Sequence, residues 1–595
     1  MRVIEQYLNL YDRFAEGEHS GIAVEVSLEE AAGALYCTTR NAKLVLRRLC
    51  EDGFIQREAG RGRGNRSKLY FLMNKEDLLV DTAQRLAEKG DYQKAFELLQ
   101  SYGGATSANR RFMEWLDDSF GFHTEEGEER DIFRFPSFVP ILTIDPAEAY
   151  FAVTGHMIRQ LFDSLLYYDA VEDRIMPGIA HYWESNEQAT EFTLHLRKGI
   201  LFHNGRELTS ADVAFTLNRV QPGKRNSWIM RSVSHIETPS KRIVNIYLNK
   251  PNFLFLRFLC SVTLSILPNE YAGQSELQFW KRPIGTGPFM VQEWTEASFT
   301  MHANPYYFQG RPHLDSVEMV VIPQHYAAAV EMKTKGWRQL LYEKEQFSDL
   351  ASDNEWLQKE ANVSYFSLLI WNMKKDGPQQ SLAFRHAIDL LIDRGRMIQE
   401  LGDHRDYPAL GFFTNKSTAL HQKYDESNYK LAINLLREAN YNGECIHLYA
   451  YGTHALDAEW ITKRCKEAGV HVQLHTVSMD LGIDAYDKAD GFIQAQVFPE
   501  AEVCLIEYYE QEGSFMREYA LPSLGGYVES MIDRALACKD TEERKTVLGE
   551  IETTLKAEFK LLFLLSLKFQ SPVHPSFKGV DFTSLGWIDF KHVWR

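Results

Sequence analysis

Phe192-Thr193-Leu194-His195-Leu196-Arg197-Lys198-Gly199-Ile200-Leu201-Phe202-His203-Asn204-Gly205, followed by Leu208-Thr209-Ser210-Ala211-Asp212-Val213-Ala214-Phe215-Thr216-Leu217, decides the fold of most of this chain. Thr193 to Arg197 alternates apolar and polar residues, the period of a half-buried strand. Lys198-Gly199 makes a turn, and Asn204-Gly205 is a hairpin dipeptide, since both residues tolerate positive φ. Ser210-Ala211-Asp212 opens a helix with Val213, Ala214 and Leu217 on its apolar face. Such closely spaced strands and helices, with many aromatics and Gly/Pro turns around them, predict an α/β body.

Further stretches carry the same body outward. Leu161-Phe162-Asp163-Ser164-Leu165-Leu166 leads to Pro177-Gly178-Ile179-Ala180-His181-Tyr182-Trp183. Pro283-Ile284-Gly285-Thr286-Gly287-Pro288-Phe289 reads as a rigid structural bend, ahead of Asn304-Pro305-Tyr306-Tyr307. Trp371-Asn372-Met373 precedes Phe384-Arg385-His386-Ala387-Ile388-Asp389. From about Asp131 onward, these ordered motifs resemble the family 5 extracellular solute-binding proteins of ABC importers, which typically bind oligopeptides, dipeptides or nickel. The resemblance covers most of residues 131–595 and implies a two-lobed, type II periplasmic-binding-protein-like body closing over a ligand. On that resemblance Trp371, Asn372, Arg385 and Val497 are the ligand-side candidates. Arg385 has a structural reading beside the anion-binding one. Val497 of Ala495-Gln496-Val497-Phe498-Pro499-Glu500 stands where peptide-binding members carry an Asp for the peptide α-amine, a departure that argues against a zwitterionic peptide.

The N-terminal part has another character. Ser27-Leu28-Glu29-Glu30 is a capping box, and a short helix with Leu28, Ala31, Ala32 and Leu35 inward follows it. After a break at Tyr36-Cys37-Thr38, a helix runs from about Thr39 to Glu51, with Ala42, Val45, Leu46 and Leu49 as its buried stripe. Arg40, Lys43 and Arg47 share the outward face. Phe54 to Arg57 and Leu69 to Leu72 read as strands around the loop Gly60-Arg61-Gly62-Arg63-Gly64-Asn65-Arg66-Ser67-Lys68. This is the order of a winged helix-turn-helix over residues 1–73. Thr38 to Lys68 holds nine basic and three acidic residues, a local +6 in a chain of net charge −17. Thr38, Thr39, Arg40, Asn41, Lys43 and Arg47 are candidates for major-groove contact, and Arg61, Arg63, Arg66 and Lys68 for phosphates or a minor groove. The same faces also suit a protein–protein module. A Walker-type loop is absent, and the glycines precede a strand rather than a helix.

Residues 74–130 read as a helical connector and linker. Leu78, Leu79, Ala83, Leu86 and Ala87, then Tyr92, Ala95, Phe96, Leu98 and Leu99, form a helical hairpin broken at Gly90. It serves either to dock the small unit on the large one or to dimerise. The acidic run Thr124 to Arg130 is the expected linker.

A winged helix joined to a family 5 body resembles the SgrR-type transcriptional regulators. The match of the small unit lies in Thr39-Arg40-Asn41-Ala42-Lys43 and Gly62-Arg63-Gly64-Asn65-Arg66. The resemblance implies a regulator that binds double-stranded DNA and senses a small molecule, either sugar-phosphate-related or peptide-like. A single such unit reads a short site, which a homodimer would double. The alternative is a solute- or oligopeptide-binding protein of an ABC transport system, with the small unit as a protein adaptor.

The 595 residues, 45% hydrophobic and 25% charged, suit a folded multidomain protein of mixed α+β and α/β class. Met1 to Tyr7 lacks a secretory apolar core, and Phe253 to Leu267 is short and interrupted by Arg257, so a cytoplasmic protein without membrane insertion is expected. Seven scattered Cys lack Cys-x-x-Cys spacing, which points to reduced thiols. No cofactor, zinc cluster or enzyme motif such as Gly-x-Ser-x-Gly or His-Glu-x-x-His is found. His471 and His475 are expected to share a strand face without a third metal ligand.

Overall fold

The computed structural model describes residues 2–15, 23–58, 60, 66–104, 106–125, 130–137, 140–150, 152–170, 172–220, 222–323, 357–360, 364–402, 404–412, 416–419, 424–477, 486–498, 501–568, 570–573, 577–580 and 588–594. The N-terminal unit begins with helix α1 (Arg2–Phe14), strand β1 (Ala23–Val26) and helices α2 (Leu28–Ala34) and α3 (Thr39–Glu51). Strands β2 (Ile55–Glu58) and β3 (Ser67–Phe71) complete an antiparallel sheet of order β1-β3-β2. The sequence pattern of α2 and α3 is realised through short-range capping. Ser27 Oγ accepts from Glu30 N at 3.1 Å, and the Glu30 carboxylate accepts from Ser27 N at 2.8 Å. Thr38 Oγ1 accepts from Asn41 N at 3.4 Å. Helix α1 was not foreseen. It buries Tyr7, Leu8 and Leu10 in the unit's core, and the Tyr7 hydroxyl donates to Met73 O at 2.6 Å.

Helices α4 (Lys75–Ala87), α5 (Tyr92–Tyr102) and α6 (Ala108–Asp118) follow, with Gly90 at φ +81° in the first break. Their apolar faces extend the N-terminal core, and the same cluster reaches Ala297, Val320 and Ile322 of the body. Of the two roles open to the hairpin, docking is therefore filled. Strands β4 (Gly121–Glu125) and β5 (Arg130–Ser137) pair antiparallel, Glu125 opposite Arg130 and Thr124 opposite Asp131. Of the acidic run expected as a linker, Thr124, Glu125 and Arg130 thus stand in paired strands, and residues 126–129 lie outside the described residues. Phe133 and Phe135 of β5 are buried.

The body has two lobes. In the first, β4 and β5 join strands Phe289–Trp294, Ser298–Ala303 and Ser316–Val321 in a five-stranded sheet, and β5 runs parallel to Ser316–Val321. A four-stranded antiparallel sheet holds Ala180–Ser185, Glu191–Leu196, Val233–Ser240 and Ile243–Leu248. The C-terminal Ile588, Phe590 and Val593 return to pack with Phe133 and Phe135. The second lobe is a six-stranded sheet of order Arg405–Pro408, Leu561–Leu567, Ser364–Trp371, Gly491–Phe498, Ile446–Tyr451 and Val472–Val477. Helices Leu382–Leu391 and Glu426–Glu438 pack with it around Trp371, Leu369 and Ile493. Strand Leu357–Glu360 pairs with Gln570–Val573, so the chain enters and leaves the second lobe side by side.

The stretch Phe192 to Leu217 folds as its pattern requires. Glu191–Leu196 is a strand, Gly199 and Gly205 take φ of +76° and +82°, and Phe202 N donates to Arg206 O at 2.8 Å. Helix Ser210–Asn218 is capped by Thr209 and Asp212, and the buried Asp212 carboxylate also holds Arg206 and accepts from Asn269 N at 2.7 Å. The Gly285-Thr286-Gly287 bend lies against the end of helix Ala152–Leu161. A Cβ at Gly285 would overlap the Leu161 carbonyl oxygen, and one at Gly287 would overlap the Leu161 backbone. Thr286 Oγ1 donates to Asp163 Oδ2 at 2.7 Å, which fixes the bend.

Candidate nucleic-acid interface and interlobe site

Helix α3 turns Ala42, Val45, Leu46 and Leu49 inward. Its exposed side carries Thr39, Arg40, Lys43, Leu44, Arg47 and Arg48, with Asn41 half-buried at the first turn. The N-cap Thr38 is exposed at the start of this helix. Arg47 Nε donates to Glu51 Oε1 at 2.7 Å, and Arg48 lies 3.7 Å from Asp52. The acids therefore sit at the C-terminal end of α3, and the first two turns present Arg40 and Lys43 with no ion pair among the described residues. In the turn before α3, Tyr36 is 89% exposed with φ +51°. An aromatic held in the left-handed region and left in solvent is unusual.

In the basic loop, Lys68 is exposed on β3, and the Arg66 guanidinium hydrogen-bonds the Glu30 carboxylate. Arg61 and Arg63 lie outside the described residues. Arg57 of β2 donates to Ser67 Oγ at 3.0 Å and 3.2 Å, holding the base of the loop. Sequence reasoning omitted Leu44, Arg48 and Tyr36. Arg48 falls within the same outward arc as Arg47, and Leu44 lies between Arg40 and Arg47 on that arc.

The two lobes meet over a shared core. Arg257 Nη1 reaches Glu502 Oε2 at 2.7 Å, and Glu502 Oε1 also accepts from Arg544 Nε at 2.7 Å. Gln511 Nε2 donates to Asn226 Oδ1 at 3.1 Å, Arg225 Nη1 donates to Glu512 O at 3.0 Å, and Phe253 N donates to Leu536 O at 2.9 Å. The Arg225 guanidinium lies 4.5 Å from the Tyr150 ring centroid. Arg159 of helix Ala152–Leu161 interacts electrostatically with Tyr167, Asp589 and Cys260 on the first-lobe side and with Cys504 of the second lobe. Its buried Nε has no hydrogen-bond partner among the described residues, and burial lowers the pKa of Arg159.

The family-derived ligand candidates are placed elsewhere. Trp371 is buried against Phe384. Asn372 donates to Ala489 O at 2.9 Å and accepts from Lys374 N and Lys375 N. Arg385 donates to the carbonyls of Glu558, Gln379 and Gln380, at 2.7 to 3.0 Å. Val497 is half-buried on strand Gly491–Phe498, opposite Tyr365. These four are thus not gathered around one opening, and three of them hold the second lobe together. His475 meets His447 across the sheet, Nε2 to Nδ1 at 3.0 Å, and stacks on Tyr449, while His471 lies before the strand. Among the described residues no disulfide joins any of the seven cysteines.

Among the described residues no helix is long and apolar enough to cross a membrane. Residues 2–116 match the family model "Sugar transport-related sRNA regulator N-term" and residues 174–495 match "Bacterial extracellular solute-binding proteins, family 5 Middle". The chain is 33% identical to the uncharacterized protein YhjP of Bacillus subtilis over the full length of both. It is 28% identical to the HTH-type transcriptional regulator SgrR of Yersinia enterocolitica, over 54% of this chain and 55% of that one. Among solved structures, it resembles DppA of Helicobacter pylori in complex with peptide STSA, at TM-score 0.66 and 20% identity over 78% of this chain and 98% of the other. The dipeptide binding protein of Pseudoalteromonas in complex with Met-Leu matches at TM-score 0.67 and 18% identity, over 78% and 100%. With the family 5 model matching more than half of the chain behind a match to the SgrR N-terminal domain, the chain belongs to the family 5 solute-binding proteins and carries an SgrR-type N-terminal domain.

Proposed function

We propose that the chain is a cytoplasmic regulator that binds double-stranded DNA through α3 and the basic loop, as a winged helix-turn-helix, and reports a small anionic ligand held between the lobes. The observation that carries the DNA reading is the paired presentation of Arg40 and Lys43 on α3 without ion pairs among the described residues, in a stretch, Thr38 to Lys68, of local charge +6 on a chain of −17. The name of the Yersinia relative agrees with it. Arg159 supports an anionic ligand, because its buried Nε lacks a hydrogen-bond partner among the described residues and a carboxylate or phosphate would satisfy it beside Asp589. The core shared by α1 to α6 and the first lobe gives ligand binding a rigid path to the DNA unit. Opening or closure of the lobes then shifts the population of DNA-competent states.

The test is selection of genomic fragments by the purified chain, with and without a cell metabolite extract, beside a Lys43→Ala/Arg47→Ala variant. Enriched fragments lost in the variant support the reading. Absence of enrichment under both conditions overturns it in favour of an adaptor role.

A further inference from the structure

Leu44 stands in the middle of the α3 face that the DNA reading assigns to the major groove. At 3.6 residues per turn, the direction opposite the buried Ala42, Val45, Leu46 and Leu49 passes through Arg40, Leu44, Arg47 and Glu51. Leu44 is 59% exposed. Arg40 lies one turn before it, and Arg47 and Arg48 lie one turn after, so an apolar side chain is ringed by cations on a solvent face. The two arginines beyond Leu44 lean toward Glu51 and Asp52, which leaves the isobutyl group uncovered at the centre of the stripe.

The major groove has one apolar landmark, the C5-methyl group of thymine. Polar edges of the other bases match Arg, Lys or Asn, and none gains from a leucine. We propose that Leu44 packs on the C5-methyl of a thymine at the centre of the bound site and so fixes that base. The proposal rests on the DNA reading above and adds to it the base and the atom that are recognised.

The test uses the full-length chain and a DNA site obtained by selection. Each thymine of the site is replaced in turn by deoxyuridine, which keeps the base pair and removes one methyl group. At one position the affinity is expected to fall about fourfold, the worth of one buried methyl group. Leu44→Ala, a surface change whose unchanged melting temperature is checked first, is expected to bind thymine and uracil forms equally. Sequence-selective binding that is indifferent to every thymine methyl overturns the proposal and leaves the regulator reading standing. The same result follows if Leu44→Ala keeps the full thymine preference. Failure of the chain to select any DNA, with or without metabolite extract, overturns both.

Discussion

Arg66 of the basic loop is hydrogen-bonded to Glu30, the same carboxylate that closes the capping box of α2. One acid thus serves two roles, holding the first turn of α2 and drawing a loop cation onto the protein. The backbone bond from Ser27 is the main reason that the Glu30 carboxyl lies below its ordinary pKa, with Arg66 adding to it.

Glu30→Gln separates the two roles. Glutamine still completes a capping box, but Arg66 loses its counter-charge and becomes free for phosphate. Non-specific DNA affinity is expected to rise and the slope of log K against log salt to steepen by about one. Binding titrations on random-sequence duplex at several salt concentrations check this, and an unchanged slope would show that Arg66 does not reach the DNA backbone.

Lys43→Ala and Arg66→Ala should fail differently. Loss of Lys43 is expected to reduce preference for the selected site by roughly ten- to a hundred-fold while sparing random DNA. Loss of Arg66 in the Glu30→Gln background, where it is free for phosphate, is expected to weaken all sequences together and to lower salt dependence. Equal effects in competition binding would mean that another element reads the bases.

Glu502 joins the lobes through Arg257 and is held by Arg544. Glu502→Gln keeps the volume but leaves two arginines short of their countercharge. A loss of about 3 to 5 kcal/mol is expected, visible as a lower denaturant midpoint. A larger radius of gyration by small-angle scattering would accompany it if the pair holds the lobes together.

Gly285→Ala places a methyl group on the Leu161 carbonyl oxygen, where neither backbone is free to yield. Destabilisation of about 3 kcal/mol or more is expected from this overlap. Urea unfolding of the variant measures it, and a near-neutral result would show that the bend is not pressed against the helix.

Stability should fall on mild acidification. Burial pushes the pKa of His203 down to about 4, that of His454 to about 4 and that of His156 to about 3. His203 Nδ1 accepts from Gly285 N at 3.1 Å and Nε2 faces Gly287 O at 3.1 Å, an arrangement that needs the neutral ring. An unfolded chain takes up these protons near pH 6.5, so the contribution is complete above that pH. It is lost as pH falls toward 4, by up to about 1.4 kcal/mol per pH unit for each ring. Denaturant midpoints at pH 7, 6 and 5 test this, and His203→Gln should flatten its share of the slope.

What the sequence determined by itself is local. Ser27 with Glu30 fixed the start of α2, Thr38 that of α3, and Gly199 and Gly205 the turns around the Phe192 stretch, because each feature is settled by atoms a few residues apart. The basic face of α3 was legible for the same reason, since helical spacing alone places Arg40, Lys43 and Arg47 together. Only the tertiary structure decided which charges are already paired within the protein. Nothing in the spacing of Glu30 and Arg66, or of Arg257 and Glu502, announces their meeting. It also placed Thr124, Glu125 and Arg130 in paired strands, and sent Asn372 and Arg385 to backbone carbonyls of the second lobe. These outcomes depend on strands and helices far apart in the chain, whose packing satisfies polar groups that the local sequence leaves open.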